Sequence, residues 1–531
     1  MSKNNLQPAE IYQRRDELGI KNSKDMLVEI IETSKDNSLR QKAIKYIGVI
    51  GNEKPSLQEE CFKKLENLIV SEENVEIKTD AVKALGKLNY EKGLKPLKWL
   101  LQQEDLNYNL EISVLKAIGK LRFDDPEIQL FINELDTNFS SIKEYVKTQL
   151  ITLAPQKLIS LLIQSLKSEF LSDEHKIEIL KLIGYEIATI NASFEDLSYI
   201  ETKYPEVVED LLRNKKILLD EITLVLKQED SELMGAVISI LKILGNQINR
   251  EIINLLLGDD FIVKKNAITL AGKLKLTEAV DVLTLNLDNI YNEVSIASII
   301  ALGEIGDTSA VADLLSILNI EDISYEYTDL DMKFYILDAV KKIYLSNINA
   351  SYDDLYNHLT SQNDTIKESI AFLFGEIGKS EFVEPLINLL KTRNVDVKKN
   401  AVIALGKIGK IESLEDLVEI VKDPNVYWLI KKVATDAIYN IYHKNWYKLR
   451  DKEGELKRTL IKDMAQLIEH LKNEEEENYK VKLSLIKLLE VFGEELALNA
   501  LLKRVNDFHR IVRIHASNAI KKIEERLELE N

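Results

Sequence analysis

One recurring phrase constrains the fold more than any other feature: an apolar residue with Lys or Arg, two spacers, a small residue, then Ala-Leu-Gly-x-Ile-Gly. It is clearest from Val397 to Gly409, read as Val397-Lys398-Lys399-Asn400-Ala401-Val402-Ile403-Ala404-Leu405-Gly406-Lys407-Ile408-Gly409. It returns about every 31 to 34 residues, which is the signature of a repeat architecture. Aligned on the first glycine, the phrase anchors at Gly48, Gly86, Gly119, Gly184, Gly245, Gly272, Gly303, Gly375 and Gly406, with weaker anchors near Ile151, Lys341, Tyr439, Glu490 and Lys521. The interval from Gly184 to Gly245 leaves room for a degenerate unit around residues 206–226, giving about fifteen units in all.

Each unit reads as a helix pair. Ala401, Ala404, Leu405 and Ile408 recur at three- and four-residue spacing, the mark of a helix with one buried stripe. An earlier helix precedes it, best seen in Gly93–Leu101 and Phe382–Leu390, where Pro96 and Pro385 fall at the same phase in a first turn that tolerates the missing N–H. Asp36, Asn74, Asp260, Asn363 and Asn394 each stand three residues before an apolar residue that opens a second helix, the place of an N-cap. The glycines mark the other end, where they are expected to take a left-handed C-terminal conformation and to permit close stacking on the next pair.

The pattern Asp/Asn-x-x-Val-Lys/Arg-x-x-Ala-x-x-Ala-Leu-Gly-x-Ile-Gly is complete from Asn394 to Gly409 and partial at Asp36–Gly51, Asn74–Leu88 and Asp260–Leu274. It resembles HEAT repeats, specifically the short kind found in phycobilisome-linker lyases. The resemblance implies an all-α, right-handed α-solenoid of about fifteen helix pairs, a superhelix on the order of 130 Å along its contour from helices packed 8 to 10 Å apart. It also implies that the second helices line a concave side that serves for binding.

Residues 1–531 read as a single continuous array, with enlarged inter-repeat segments near 307–335 and 443–478. The first holds Asp322 to Tyr327; the second holds Lys448 to Glu455 and the acidic run Glu474 to Glu477. Insertions of this kind map to one face of a solenoid.

With 70 Lys and Arg against 88 Asp and Glu the chain carries a formal charge of −18, which disfavours a nucleic-acid partner, whose affinity comes largely from basic side chains releasing counterions. A single cysteine, Cys61, excludes an internal disulfide framework and suits the reducing cytoplasm. The N-terminal residues Met1 to Pro8 lack a signal-peptide core, and no run of about 18 apolar residues suggests a membrane span.

Candidate chemistry is sparse. His175, His358, His443, His470, His509 and His515 form no metal-binding pair, no His-Glu dipeptide occurs, and no metal or cofactor is expected. Gly375-Glu376-Ile377-Gly378-Lys379-Ser380 ends like a phosphate-binding loop, but Leu373 stands where that loop needs its first glycine, so an inter-repeat turn is expected. Cys61, next to Phe62 in a helical stretch, reads as a buried small hydrophobe. The basic positions Arg40, Lys78, Lys264, Lys367, Lys398, Lys431 and Arg513 read as ion pairing between units, with a charged stripe for an acidic peptide or nucleic acid as the alternative.

Aromatic density is the better lead. Tyr427, Trp428, Tyr439, Tyr442, Trp446 and Tyr447 crowd into about twenty residues beside the longer insertion, and Tyr and Trp dominate many binding interfaces. Packing is the competing reading, because Tyr439 and Tyr442 replace the two glycines of the phrase; Trp99 reads as a core or edge residue. The function expected is a non-catalytic protein–protein interaction scaffold or adaptor that binds one or more partner proteins along its concave face. A bilin lyase-type enzyme or lyase subunit, implied by the repeat subtype, and a nucleic-acid-binding HEAT-like protein stay open.

Overall fold

The computed structural model describes residues 6–103, 106–121, 123–192, 197–228, 230–318, 329–452, 454–471 and 478–530; the side chains of 191–192, 197–199, 329–331, 446–452, 454–457, 470 and 529–530 lie outside that description. Among the described residues the regular elements are helical and no strand occurs, so the fold is all-α. The chain divides into two compact units, Met1–Glu251 and Ile252–Asn531. Each is built of helix pairs whose second helices stack on one another.

The pair Val383–Leu389 and Val395–Ile408 shows the plan. A 3-10 turn, Ser380–Phe382, leads into the first helix, and Pro385 is its third residue, inside the turn that has no N–H partner to lose. Pro96 holds the same place in Leu94–Leu101. Asn394 then caps the second helix, accepting from the amides of Asp396 and Val397. The other expected caps, Asp36, Asn74, Asp260 and Asn363, do the same, and so does Asp230 at Ser231–Leu244. Each cap contributes about 1 kcal/mol.

The two glycines of the phrase have different duties. The second is the C-cap: Gly409 has φ +79° and its N–H returns to the Leu405 carbonyl, and the phosphate-loop look-alike is such a turn, with Gly378 as cap. The first glycine lies inside the helix, against the alanine two residues before the equivalent position of the next second helix. A Cβ on Gly406 would stand 2.8 Å from the Cα of Ala437, and one on Gly375 2.8 Å from the Cα of Ala404. Gly48 meets Ala84, Gly86 meets Ala117, and Gly303 meets Ala339 in the same way.

This rule corrects the register around residue 245. Gly184 packs on Ala236, whereas Gly245 caps Ser231–Leu244 with open space around it. Asp173–Ala192 therefore stacks directly on Ser231–Leu244, and residues 206–226 add no second-helix layer. They supply Pro205–Arg213 and Lys215–Val225, which pack alongside. Ile151, expected as a weak anchor, is the exposed C-cap of Ser140–Leu150.

Of the enlarged segments, residues 319–328 lie outside the described residues, as do Glu474 to Glu477. In the second segment the described residues up to His470 are helical. With Tyr439 and Tyr442 in place of both glycines, nothing ends the helix, and it runs from Trp428 to Lys452, 25 residues against 14 in Val395–Ile408. Gly454–His470 then packs beside Asn478–Phe492.

Near the C-terminus a cluster of charges is buried. Lys482 Nζ and Arg504 Nη1 lie 2.9 and 3.1 Å from Asp507 Oδ2, and the side chains of Lys482 and Asp507 are fully enclosed. Burial would raise the Asp507 carboxyl, but Lys482, the His509 amide and Arg504 outweigh it and hold the group below its ordinary range. Asp507→Ala, which strands Lys482, is expected to cost about 3–5 kcal/mol, read as a lower thermal midpoint by circular dichroism.

The glycine rule yields opposite signs at two sites. Gly406→Ala forces overlap with Ala437 and is expected to destabilise by about 1–3 kcal/mol. Gly235→Ala, with nothing within 4 Å of its added Cβ, is expected to stabilise by about 0.5–1 kcal/mol. Thermal melts of the two variants with shifts of the same sign would refute the close-approach explanation.

Candidate functional site

The aromatic residues singled out by sequence separate into distinct environments. Tyr442 is 1% exposed and its ring lies 5.5 Å from Phe492 of the next second helix, so it is core. Tyr439 is half-buried, 5.6 Å from Phe492, with Lys487 Nζ 4.6 Å from its ring centre. A tyrosine at the glycine position blocks close approach, and the widened gap is filled by the Phe492 ring and the Lys487 ammonium. Trp446 and Tyr447 belong to the helical run Trp428–Lys452, but their side chains lie outside the described residues.

Tyr427 and Trp428 form the accessible part. Tyr427 is 49% exposed at the helix entrance, and its ring lies 5.6 Å from that of Trp428. Lys480 Nζ sits 4.6 Å over the indole. The indole Nε1 is enclosed and has no hydrogen-bond acceptor among the described residues. Two cation–aromatic contacts thus join Trp428–Lys452 to Asn478–Phe492, each worth about 0.5–2 kcal/mol.

Sequence reasoning missed that other second helices carry aromatic residues at the same entrance. Tyr108 and Phe139 meet edge to face at 5.6 Å in one unit, and Phe261 and Tyr291 at 4.9 Å in the other. Tyr108, Phe139 and Tyr291 are all exposed. The signal was present: each stands within one residue of a helix start, where a polar cap is the usual occupant.

The basic positions of the phrase have varied partners. Arg40 bridges to Glu72 of the next pair and donates Nε to the Ile31 carbonyl at 3.0 Å. Lys367 faces Asp364 of its own helix, Arg513 donates to the carbonyls of Asp507 and Phe508, and Lys431 is buried. Lys78, Lys264 and Lys398 are half-buried. Most ties between layers come from other residues. Lys273 meets Glu304 at 2.5 Å, Lys522 meets Glu490 at 2.5 Å, and Glu376 is held between Lys407 and Lys341. Those two lysines, Lys407 foremost, keep the Glu376 carboxyl below its ordinary range.

Cys61 is buried, and burial pushes its thiol up to about 11 despite the nearby Lys24, so it is no nucleophile at neutral pH. His175 is enclosed with Nε2 2.8 Å from the Ile132 carbonyl. The most perturbed carboxyl is Glu134, raised from 4.5 to about 7 by burial and by the charge and hydrogen bond of Glu111, which also accepts from Thr137 Oγ1 at 3.1 Å. Glu134 therefore holds a proton well above the ordinary carboxylate range. Folded Glu134 keeps that proton where the unfolded chain has lost it, so its stabilisation is full below about pH 4.5 and disappears as pH rises through 7. Glu134→Gln is expected to be near neutral at pH 5 and to stabilise by about 2–3 kcal/mol at pH 8, checked by thermal melts at both pH values.

Comparison with known proteins adds the following. Residues 352–438 match the family model for HEAT repeats. No curated protein matches the chain. Among solved structures, Kap121p bound to Nup53p is 14% identical with a TM-score of 0.40, covering 94% of this chain and 56% of that one. Kap121p bound to RanGTP gives the same values. The structure of Kap95p with RanGDP is 13% identical, with a TM-score of 0.32 over 99% of this chain and 70% of that one. The chain thus spans little more than half the length of the Kap121p chains. No described helix is long and apolar enough to cross a membrane. The HEAT-repeat match covers the helix pairs from Asp353–Leu359 into Trp428–Lys452 and includes Tyr427 and Trp428.

Proposed function

We propose that this chain is a non-catalytic scaffold or adaptor of the cytoplasm that binds a partner protein along the faces of its second helices, with residues 1–531 acting as one repeat array of the short lyase-like HEAT type. The observation that carries the reading is the edge at Tyr427 and Trp428: an exposed phenol, an indole with an enclosed unpaired N–H, and a lysine on its face, at the start of a second helix. Rigid aromatic area with a polar handle is what interface hot spots use. The exposed Tyr108–Phe139 pair and the exposed Tyr291 against half-buried Phe261 put similar area at the entrances of other second helices, so affinity is distributed over several repeats. The roughly 32-residue repeat supports the short subtype.

The test uses the full chain as bait. A protein recovered in stoichiometric, salt-resistant amounts is expected to fall about tenfold with Tyr427→Ala, and further with Trp428→Ala combined with Trp446→Ala, at unchanged helicity. Undiminished recovery with all three changes, or recovery of nuclease-sensitive material alone, refutes the reading.

A further inference from the structure

The chain has 18 more acidic than basic residues, yet one face of its first unit gathers lysines. They occupy two registers of the repeat. Lys45, Lys83 and Lys116 stand three residues before Gly48, Gly86 and Gly119; Lys87 and Lys120 stand one residue after Gly86 and Gly119. All five side chains are exposed. In the second unit the residue after the anchor alternates in sign from Lys273 through Glu304, Lys342 and Glu376 to Lys407, with Lys273 paired to Glu304 and Glu376 to Lys407. Here it does not alternate. Lys83 has Asp80 at 3.4 Å, and Lys45, Lys87, Lys116 and Lys120 make no ion pair among the described residues.

Between Val75–Leu88 and Tyr108–Leu121 these side chains enclose a groove of about 420 Å³. Gly86 and Ala117 form its floor, Lys83, Lys87, Lys116 and Lys120 its walls, and Tyr108 one end. Lys116 Nζ also lies 5.5 Å from the Tyr145 ring. Partial burial of Lys87, and after it the charges of Lys45, Lys120 and Lys83, depress its ammonium below the usual lysine value, with Asp80 opposing. The fold tolerates like charges here although a glutamate at one of these positions would remove the repulsion.

We propose that this groove binds a short acidic, carboxylate-rich segment of a partner protein. Lysines one helical turn apart are about 5–6 Å apart at Cβ, and the two helices are roughly 8–10 Å apart. Alternate side chains of an extended peptide are about 6.6 Å apart on one face, so successive carboxylates meet successive ammonium groups. The groove holds lysine and no arginine, whereas bidentate phosphate recognition favours the guanidinium fork. The formal charge of −18 on the chain as a whole weighs against a long polyanion, which would have to lie against far more of the surface than this groove.

The inference shares with the Tyr427 reading only the premise that the partner is a protein. The groove is probed without Tyr427, so either can fail alone. Full-length protein is titrated into a fluorescein-labelled alternating Glu-Ala peptide and followed by anisotropy. Saturable binding is expected that weakens about tenfold in the variant carrying Lys87→Gln and Lys120→Gln, and that weakens as salt shortens the screening length. The melting temperature of that variant is expected to stay level or rise, because repulsion has been removed. Equal affinity of wild type and variant overturns the proposal, as does a lowered melting temperature. Tighter variant-sensitive binding of a single-stranded oligonucleotide or of tripolyphosphate overturns the peptide assignment. Self-association abolished by the two changes would make a second copy the occupant and overturn it equally.

Discussion

The closeness of successive second helices is set by a glycine facing an alanine, and much else in each unit follows from that spacing. With no Cβ on one side and a methyl on the other, two backbones come nearer than ordinary side chains allow. At that separation, charged residues at the helix ends reach across a layer, and Glu376 can be shared by Lys341 and Lys407. Where Tyr439 replaces the glycine, the gap is filled instead by Phe492 and Lys487. Near the C-terminus the enclosed Asp507 ties Lys482 and Arg504 together at the register of the basic position of the phrase, not at that of the glycine. Apolar stacking and aromatic filling are thus two answers to one geometric requirement.

Electrostatics divides the layers in another way. Exposed ion pairs contribute little to stability individually, in the range of about 0–1 kcal/mol. Their value here is in matching one layer to the next, as the cross-layer pairs of the second unit do. Lysines that face one another without a carboxylate between them leave a layer boundary electrostatically open. The acidic excess of the chain makes such a site more conspicuous to a partner.

Much of this was legible from sequence because it depends on local spacing. The N-cap rule found Asp36, Asn74, Asp260, Asn363 and Asn394, and the proline phase placed the start of the first helices Leu94–Leu101 and Val383–Leu389. The same rule applied to Asp230-Ser231-Glu232-Leu233 would have found the sixth cap, but alignment on Gly245 drew the register away from it. Two glycines three residues apart look equivalent in a sequence, although one is needed for room and the other for its left-handed φ. The sites were harder to see. Sequence shows that Lys87 and Lys273 occupy one register, with Lys120 and Glu304 one layer on, but that Lys273 closes an ion pair with Glu304 while Lys87 and Lys120 wall a groove is a three-dimensional fact. Tyr427 and Tyr442 likewise look alike in a cluster, and only packing separates a surface phenol from a core one.

The overrun of Trp428–Lys452 gives an otherwise self-similar array a landmark. Its additional eleven residues, 25 against 14, add about 16 Å of helix at 1.5 Å per residue. A surface made of near-identical layers is translationally degenerate: a ligand bound across several layers finds nearly the same contacts one layer along. A helix of different length breaks that degeneracy and lets a single docking position be told from its neighbours.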